Sequence, residues 1–130
     1  MSIFDGVESA FALRELVLVE VGLHAVAFAS DTVISRSWID VTEGSKIKIT
    51  NNTSSGNSDD GIEATGTKNK ITGNTSTGNA DDGIAVGDRK NKVIGNTSTG
   101  NGTTDILAEE PCKNNKFKDN TFGTGSSCVQ

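Results

Sequence analysis

The sequence predicts an all-β chain, a right-handed parallel β-helix (solenoid) of about four to five coils with 22 residues in each repeat. Three observations predict this fold: a repeat of constant length, apolar residues at the same position of every repeat, and short alternating runs separated by Gly and Asn. A constant period of this size is typical of stacked supersecondary units. No segment of the repeat has the length or spacing of a helix, so helical solenoids are poor fits.

The repeat becomes visible when equivalent segments are aligned. KIKITNNTSSGNSDDGIEATGT begins at Lys46, and KNKITGNTSTGNADDGIAVGDR begins at Lys68. KNKVIGNTSTGNGTTDILAEEP begins at Lys90, and a shorter fourth copy, KFKDNTFGTG, begins at Lys116. The fourth copy carries its Asn-Thr pair two residues late, which indicates a small insertion around residues 111–115.

Stacking these coils at about 4.8 Å turns each column of equivalent positions into a physical ladder. Two apolar columns are expected to point inward: Ile49, Ile71 and Val93, and Ile62, Ile84 and Ile106. An asparagine recurs at one bend of every repeat, at Asn52, Asn74, Asn96 and Asn120. Asn tolerates a left-handed backbone, and its side-chain amide can hydrogen-bond the equivalent Asn of the next coil, so these residues are expected to form an internal ladder. Two glycine columns are expected to supply positive φ: Gly56, Gly78 and Gly100, and Gly61 and Gly83.

Residues 1–44 lack the repeat and are interpreted as an N-terminal cap with diverged first coils, followed by repeats and a tail over 45–130. Val17 precedes Ile39 by one full repeat length, and Ile39 precedes Ile62 by about the same interval, so diverged coils are expected there. Residues 3–13 are expected to form a short amphipathic helix over the open end of the solenoid. The alternative is that the chain is a fragment of a longer β-helix. Exposed strand edges at either end could also pair two chains end to end.

The composition limits the classes of partner. The formal charge is −5 and no block of Lys or Arg could neutralise a row of phosphates, so no nucleic-acid partner is expected. No apolar run reaches about 18 residues, so no membrane span is expected. The N-terminus lacks a basic region and carries Asp5, Glu8 and Glu15, so no signal peptide is expected in this chain.

Cys112 and Cys128 are the two cysteines of the chain. A disulfide between them would stabilise the fold by roughly 3 kcal/mol and would indicate an oxidising compartment. Two reduced thiols fit the sequence equally well, so both interpretations stay open.

The motif G-N-T-S-T-G-N-A-D-D-G-I-A-V at residues 73–86 resembles the parallel β-helix repeat family, which includes pectate-lyase-like carbohydrate enzymes and NosD-like periplasmic proteins. The resemblance implies an extracellular or periplasmic module that binds a polysaccharide or has a structural role. It also implies an alternative, a degenerate or truncated calcium-assisted polysaccharide lyase or glycoside hydrolase. Such a fold hosts many activities, so the motif indicates the fold more than the function.

An acidic column carries the candidate chemistry. Asp59, Asp60, Asp81 and Asp82 recur in adjacent coils, where like charges should raise a carboxyl pKa or recruit a cation, with calcium as the candidate metal. For the enzyme alternative, the candidates are Asp59, Asp81 and Asp82 with Arg89 or Lys92. The competing interpretation, which we favour, is that D-D-G is a solvated turn, because both copies look like repeat consensus.

The remaining patterns leave catalysis unassigned. The G-H-G and R-I-K segments of polygalacturonases and the D-P-H-E segment of mannuronan epimerases are missing, so hydrolysis and epimerisation lose support. A different hypothesis is ice binding, because Thr75 and Thr77 should point outward beside an inward Ser76 and Thr97 and Thr99 repeat the pair. The function that the sequence favours is a polysaccharide-binding or structural β-helix module.

Overall fold

A computed structural model describes the strand backbones between residues 12 and 45, and residues 46–109, 112 and 114–129 in full. Every regular element in these ranges is a β-strand. The strands pair in parallel, each with the strand three elements earlier or later in the chain. This pattern is that of a solenoid, so the predicted all-β parallel β-helix is confirmed.

Three parallel sheets form the sides of the solenoid. The first sheet contains β1 (Ala12–Arg14), β4 (Phe28–Ser30), β7 (Lys48–Thr50), β10 (Lys70–Thr72), β13 (Lys92–Ile94) and β16 (Lys116–Lys118). The second contains β2 (Val17–Val19), β5 (Val33–Ser35), β8 (Thr53–Ser55), β11 (Thr75–Thr77), β14 (Thr97–Thr99) and β17 (Thr121–Phe122). The third contains β3 (Leu23–His24), β6 (Ile39–Ser45), β9 (Ile62–Thr67), β12 (Ile84–Val86) and β15 (Ile106–Ala108).

The coils from β7 onward keep the register that the repeat predicts. Ile71 pairs with Ile49 and Val93, its equivalents in the preceding and following repeats, and Ile84 pairs likewise with Ile62. Lys92 pairs with Lys116, the first residue of the fourth copy, which confirms the small insertion before that copy. Across the described strands there are five complete coils and two strands of a sixth, slightly more than the four to five expected.

The earlier coils are shorter than the repeat. Val17 pairs with Val33, and Leu23 pairs with Ile39, so each of these coils closes within fewer residues than the later ones. The predicted match of Ile39 with Ile62 is confirmed, but the match of Val17 with Ile39 is wrong, because the two lie in different sheets. The expected helix over residues 3–13 is wrong at residues 12 and 13, which lie in β1, and its remainder falls outside the described residues. The boundary at residue 44 stays a prediction.

The core is a stack of small apolar side chains. Both predicted inward columns are confirmed: Ile49, Ile71, Val93, Ile62, Ile84 and Ile106 are 0% exposed. In β7, β10 and β13 only the middle side chain is buried, because successive residues point to opposite faces, whereas β12 buries all three of its residues. At the end of the stack, Val129 is buried against Ile106 and Ala108, and Phe117 and Phe122 pack on the same cluster.

The predicted asparagine ladder is confirmed at the bend between the first and second sheets. Asn52 donates its backbone N–H and its Nδ2 to Asn74 Oδ1 at 2.9 and 3.0 Å, and Asn74 donates in the same way to Asn96. Asn96 continues the ladder to Asn120, across the insertion. Buried amides bonded in this way contribute about 1 kcal/mol per hydrogen bond and fix the register of the coils.

Two further asparagine ladders were not predicted. In one, Asn57 donates to Asn79 Oδ1, and Asn79 donates to Asn101 Oδ1, through backbone and side-chain nitrogens alike. In the other, the backbone N–H of Asn69 donates to Asn91 Oδ1, and that of Asn91 donates to Asn115 Oδ1. Each corner of the coils that the repeat builds therefore holds a ladder.

The two glycine columns have different roles. Gly56, Gly78 and Gly100 have φ of 66°, 63° and 68°, which confirms the expected left-handed bend. The same expectation is wrong for Gly61 and Gly83, which are absent from the positive-φ residues of the described chain. A Cβ on Gly83 would overlap Ser98 Oγ, and one on Gly61 would overlap Ser76 Oγ. Close packing between coils, not backbone conformation, requires glycine there.

A disulfide closes the C-terminal segment. It joins Cys112 and Cys128, whose Cα atoms are 6.2 Å apart. Gly125 bridges to Ile106 in parallel, and Ser126 Oγ accepts a hydrogen bond from the backbone N–H of Ala108 at 2.9 Å. The segment that contains Gly125 and Ser126 thereby pairs with the open edge of β15, the last strand of the third sheet.

Candidate functional site

The acidic residues form the corner between the second and third sheets, which we call the acidic corner: Asp59, Asp60, Asp81 and Asp82. Asp60 Oδ1 accepts a hydrogen bond from the backbone N–H of Asp82 at 2.8 Å. Asp82 Oδ1 accepts one from the backbone N–H of Thr104, also at 2.8 Å. The second Asp of each D-D-G therefore bonds the next coil, which agrees with a structural role in a turn.

Burial raises two carboxyl pKa values at this corner. The pKa of Asp60 rises to about 6, because burial disfavours the charged form and the carboxylates of Asp82, Asp59 and Asp81 add repulsion. The hydrogen bond from Asp82 opposes this rise. Burial and the charge of Asp81 also raise the pKa of Asp82, against hydrogen bonds from Thr104. Stacked like charges thus act here in the direction that the sequence suggested.

Three of the four predicted metal candidates come together. Carboxylate oxygens of Asp59, Asp60 and Asp81 lie within 4.8 Å of one another, whereas Asp82 is outside this group. Calcium takes six to eight oxygen ligands, and three carboxylates could supply some of them. Exposed acidic groups of this kind are common without a metal. Calcium binding stays a prediction.

The basic candidates lie at another corner. Asp81 and Asp82 precede β12, Arg89 follows it, and Lys92 begins β13 in the first sheet. A whole strand therefore separates the acids from both bases. This arrangement gives no support to a single site that combines Asp59, Asp81 and Asp82 with Arg89 or Lys92.

A row of lysines crosses the first sheet at the N-terminal ends of its strands, and the sequence analysis did not predict it. Lys48, Lys70, Lys92 and Lys116 begin successive strands and are paired in register. Just before them in the chain, a parallel column adopts left-handed backbone with φ of 61°, 62° and 63°: Lys46, Lys68 and Lys90. All seven side chains are exposed. We call this surface the lysine face.

The lysine face carries uncompensated charge. Among the residues that the structure describes, none of its seven lysines forms an ion pair, whereas Lys118 at the other end of β16 lies 3.5 Å from Asp119. Like charges directly opposite each other on neighbouring strands are destabilising. Folding alone therefore does not account for this column.

The signal for the lysine face is present in the sequence. Each repeat starts with Lys-x-Lys, at residues 46–48, 68–70 and 90–92. These short pairs do not form a contiguous basic block. Equivalent residues of successive repeats become neighbours about 4.8 Å apart in a parallel stack, so a charged surface can form without any charged run.

The second sheet presents the threonines as predicted. Ser54, Ser76 and Ser98 are buried, and Thr75 pairs in register with Thr53 and Thr97 on the outer face. Ser76 Oγ donates to the carbonyl of Gly83 at 2.7 Å, so the inward hydroxyl is satisfied. Ice binding by this outer array stays a prediction.

The comparisons with known proteins assign the family. Residues 27–130 match the family described as right handed beta helix region, and the chain belongs to that family. The match covers the whole repeat region and defines the hand of the solenoid.

Two solved structures are similar in fold. Crystal structures of a mutant of the periplasmic alginate epimerase AlgG and of AlgG itself are each 18% identical to the chain, with TM-scores of 0.51 and 0.44. The matches cover 84% and 75% of this chain but 28% and 26% of those proteins, so the chain spans little more than a quarter of their length. At this identity the likeness to the mutant structure shows the fold alone.

Two other results complete the comparison. The search of curated proteins finds no match for the sequence. Within the part of the chain that the structure describes, no helix is long and apolar enough to cross a membrane.

Proposed function

We propose that this protein binds a polysaccharide along a lateral face of its β-helix. The observation that carries the proposal is the register of the repeat: the strands from β7 to β16 place identical outward side chains at each rung of a sheet. A linear polysaccharide also repeats its functional groups along one direction. A surface with constant spacing can therefore contact many units of such a polymer at once, and many weak contacts add.

The proposed location is the periplasm or the exterior of the cell. Disulfides persist in oxidising compartments, and the Cys112–Cys128 bridge fits that environment. The structurally similar AlgG is described as a periplasmic alginate epimerase, so one protein of this fold acts on a polysaccharide in that compartment. Both observations support the proposal from independent sides.

Affinity electrophoresis tests the proposal. The full chain is run through native gels that contain a neutral glucan, a neutral mannan, sodium alginate or sodium polygalacturonate, with a gel lacking polymer and an inert protein of similar charge as controls. Retardation in at least one polysaccharide gel, relative to the inert protein, is the expected result. Mobility equal to that of the inert protein in every gel would contradict polysaccharide binding.

A calcium-assisted polysaccharide lyase, degenerate or truncated, is the second candidate function. The observation that favours it is the approach of Asp59, Asp60 and Asp81 within 4.8 Å. Its test is the absorbance of unsaturated products when the chain is incubated with polygalacturonate and calcium. Product formation that Asp59→Asn with Asp81→Asn abolishes would support the lyase, and no product would leave binding as the function.

A further inference from the structure

We propose that the lysine face is the binding surface and that its ligand is an anionic polysaccharide, whose acidic groups lie along the solenoid axis opposite the two lysine columns. This inference rests on the proposed function and adds the face, the charge and the direction of the ligand. The ligand is recognised by the carboxylate or sulfate groups on its successive sugar units.

The geometry of the face sets the direction of the ligand. Lys70 pairs with Lys48 on one side and with Lys92 on the other, and Lys92 pairs with Lys116. Neighbouring strands of a sheet lie about 4.8 Å apart, so one column presents an ammonium group at each of the four rungs from β7 to β16, and the other at three of them. The columns run across the strands, which is along the solenoid axis. A polymer laid in that direction meets a cation at each step.

The charge distribution of the repeat region is partly segregated. Residues 46–130 contain ten basic and ten acidic side chains, so this region carries no formal excess of either sign. Seven of the bases form the lysine face, and four of the acids form the acidic corner, which a strand of the third sheet separates from the lysines. Asp88 is the exception: it is exposed, lies two residues before Lys90 and accepts a hydrogen bond from the backbone N–H of Gly66. The surface is locally basic although the chain is acidic overall, with a formal charge of −5.

The backbone also supports the inner column. Lys46, Lys68 and Lys90 adopt left-handed backbone, which side chains other than Gly and Asn rarely adopt, and Asn114 takes the equivalent position in the last coil. Asn or Gly would fit these bends at lower conformational cost. Three lysines there, stacked with like charges, indicate that the positive charge itself has a role.

The surroundings of the columns favour a glycan over a nucleic acid. Thr50 occupies the third position of β7, on the same strand as Lys48, and its half-buried side chain adds a hydroxyl group that can bond a sugar. Phe117 is the one aromatic residue among β7, β10, β13 and β16, and it packs on the core cluster at the end of the stack. Single-stranded nucleic acids are held largely by stacking of bases on aromatic side chains. Within these described strands the lysine face offers no such platform.

The test compares the full chain with two variants that have equal net charge. In the first, Lys48→Gln, Lys70→Gln and Lys92→Gln remove three cations from the lysine face. In the second, Thr75→Glu, Thr97→Glu and Thr121→Glu add three anions to the second sheet. Binding to sodium polygalacturonate, dextran sulfate, neutral dextran and single-stranded DNA is measured by calorimetry at low and high salt. Circular dichroism and thermal unfolding establish that each variant is folded.

We expect the parent to bind polygalacturonate, dextran sulfate or both, and to lose affinity as salt screens the lysines. The lysine variant should bind roughly tenfold more weakly, because three exposed ion pairs are lost, and the threonine variant should bind like the parent. Equal weakening in both variants would show that net charge, not this face, determines binding and would overturn the inference.

The other outcomes separate the inference from the proposed function. If the parent binds neutral dextran as tightly as the anionic polymers and the lysine variant binds unchanged, polysaccharide binding stands and the lysine face is rejected. Binding to DNA as tight as binding to the glycans would reject the glycan as the ligand class. If the parent binds none of the polysaccharides, both proposals fail together.

Discussion

Asp105 Oδ1 accepts hydrogen bonds from the backbone N–H and the side-chain Nδ2 of Asn101, at 3.1 and 2.9 Å. In the two preceding coils the equivalent donors bond the Asn of the next coil: Asn57 bonds Asn79, and Asn79 bonds Asn101. The last coil is offset by 24 residues and has Gly125 at the equivalent position, so the carboxylate of Asp105 completes the ladder. Asp105 Oδ2 also accepts from the backbone N–H groups of Gly123 and Thr124, both at 2.9 Å.

The sequence position of Asp105 explains why only this coil can hold the carboxylate. Asp105 replaces the glycine of D-D-G, where Gly83 leaves room for Ser98 of the following coil. In the coil after Asp105, Phe122 pairs with Ser98 and no serine lies in the way. Asp105 therefore terminates both the asparagine and the serine columns.

Replacing Asp105 by alanine should destabilise the fold by about 2–3 kcal/mol, because three backbone N–H groups and one side-chain amide lose a charged acceptor. Asp81→Ala is the control, since Asp81 is exposed, and its effect should stay within about 0.5 kcal/mol. Urea unfolding followed by circular dichroism measures both. Equal effects of the two substitutions would argue against the terminating role of Asp105.

The pH dependence of Asp105 should differ from that of an ordinary carboxylate. Burial raises its pKa, but the hydrogen bonds from Asn101, Thr124 and Gly123 outweigh burial and lower the pKa below 3.8. A depressed pKa in the folded state contributes stability that is present above 3.8 and lost as pH falls through the folded-state pKa. The stability difference between the parent and Asp105→Ala should thus shrink below pH 3.8. A difference that is constant down to strong acid would contradict this assignment.

Asp60 should show the opposite behaviour. Its pKa of about 6 in the folded chain exceeds the ordinary value of 3.8. The contribution of Asp60 to the free energy of unfolding is therefore fully present below pH 3.8 and is lost as the pH rises through 6. Asp60→Asn keeps an acceptor for Asp82 and removes the charge. The variant should be more stable than the parent above pH 6, by at most about 1 kcal/mol because the group is half-exposed.

Melting temperatures of the parent and Asp60→Asn between about pH 4 and pH 8 measure this effect. Asp119→Asn is the control, because Asp119 is exposed and its left-handed backbone, φ 54°, suits Asn. The two curves of parent and Asp60→Asn should converge near the acid end and separate above pH 6. A parent that gains stability over Asp60→Asn as pH rises would contradict the raised pKa.

Gly83→Ala and Gly78→Ala separate close packing from backbone strain. A Cβ on Gly83 would overlap Ser98 Oγ and lie 2.6 Å from the carbonyl oxygen of Asp105, so a cost of about 3 kcal/mol is expected. Gly78 has open space around its Cα but a φ of 63°, so alanine there should cost only about 1–2 kcal/mol. Unfolding free energies give the comparison, and a larger cost at Gly78 would reverse the assigned roles.

The lysine columns should reduce the stability of the parent. Lys70 and Lys92 are directly opposite each other, so Lys70→Gln with Lys92→Gln should stabilise the fold by a few tenths of a kcal/mol at low salt. Salt screens the repulsion, so the gain should shrink as salt increases. Thermal unfolding at two salt concentrations measures it. A loss of stability would indicate that these lysines make contacts that hold the fold.

The constant length of the repeat and the fixed position of its apolar residues predicted the central coils, because a strict repeat allows only one register for parallel stacking. Ile71 and Asn74 lie inside as expected. The ladder through Asn69 was missed, since a sequence does not tell which polar bend residue points inward. Val17 was placed in the wrong sheet because the coil there is shorter than the repeat, and the period of the later coils could not reveal this.

The candidate site was harder to predict than the fold. Asp59, Asp60 and Asp81 were identified and do lie together, because adjacent repeats bring equivalent turns together. Arg89 and Lys92 were wrongly grouped with these acids, because the sequence did not show which corner of the coil each turn occupies. The lysine face required the stacked register itself, since its columns do not adjoin in sequence.

The most direct measurement is a nuclear magnetic resonance titration of the ¹⁵N-labelled chain with oligogalacturonate. Ligand along the lysine face should shift the backbone amides of β7, β10, β13 and β16, with the largest changes near Lys70 and Lys92, and leave β8, β11 and β14 unchanged. Shifts centred on β8, β11 and β14 or on the acidic corner, or no shifts at saturating ligand, would contradict binding at the lysine face.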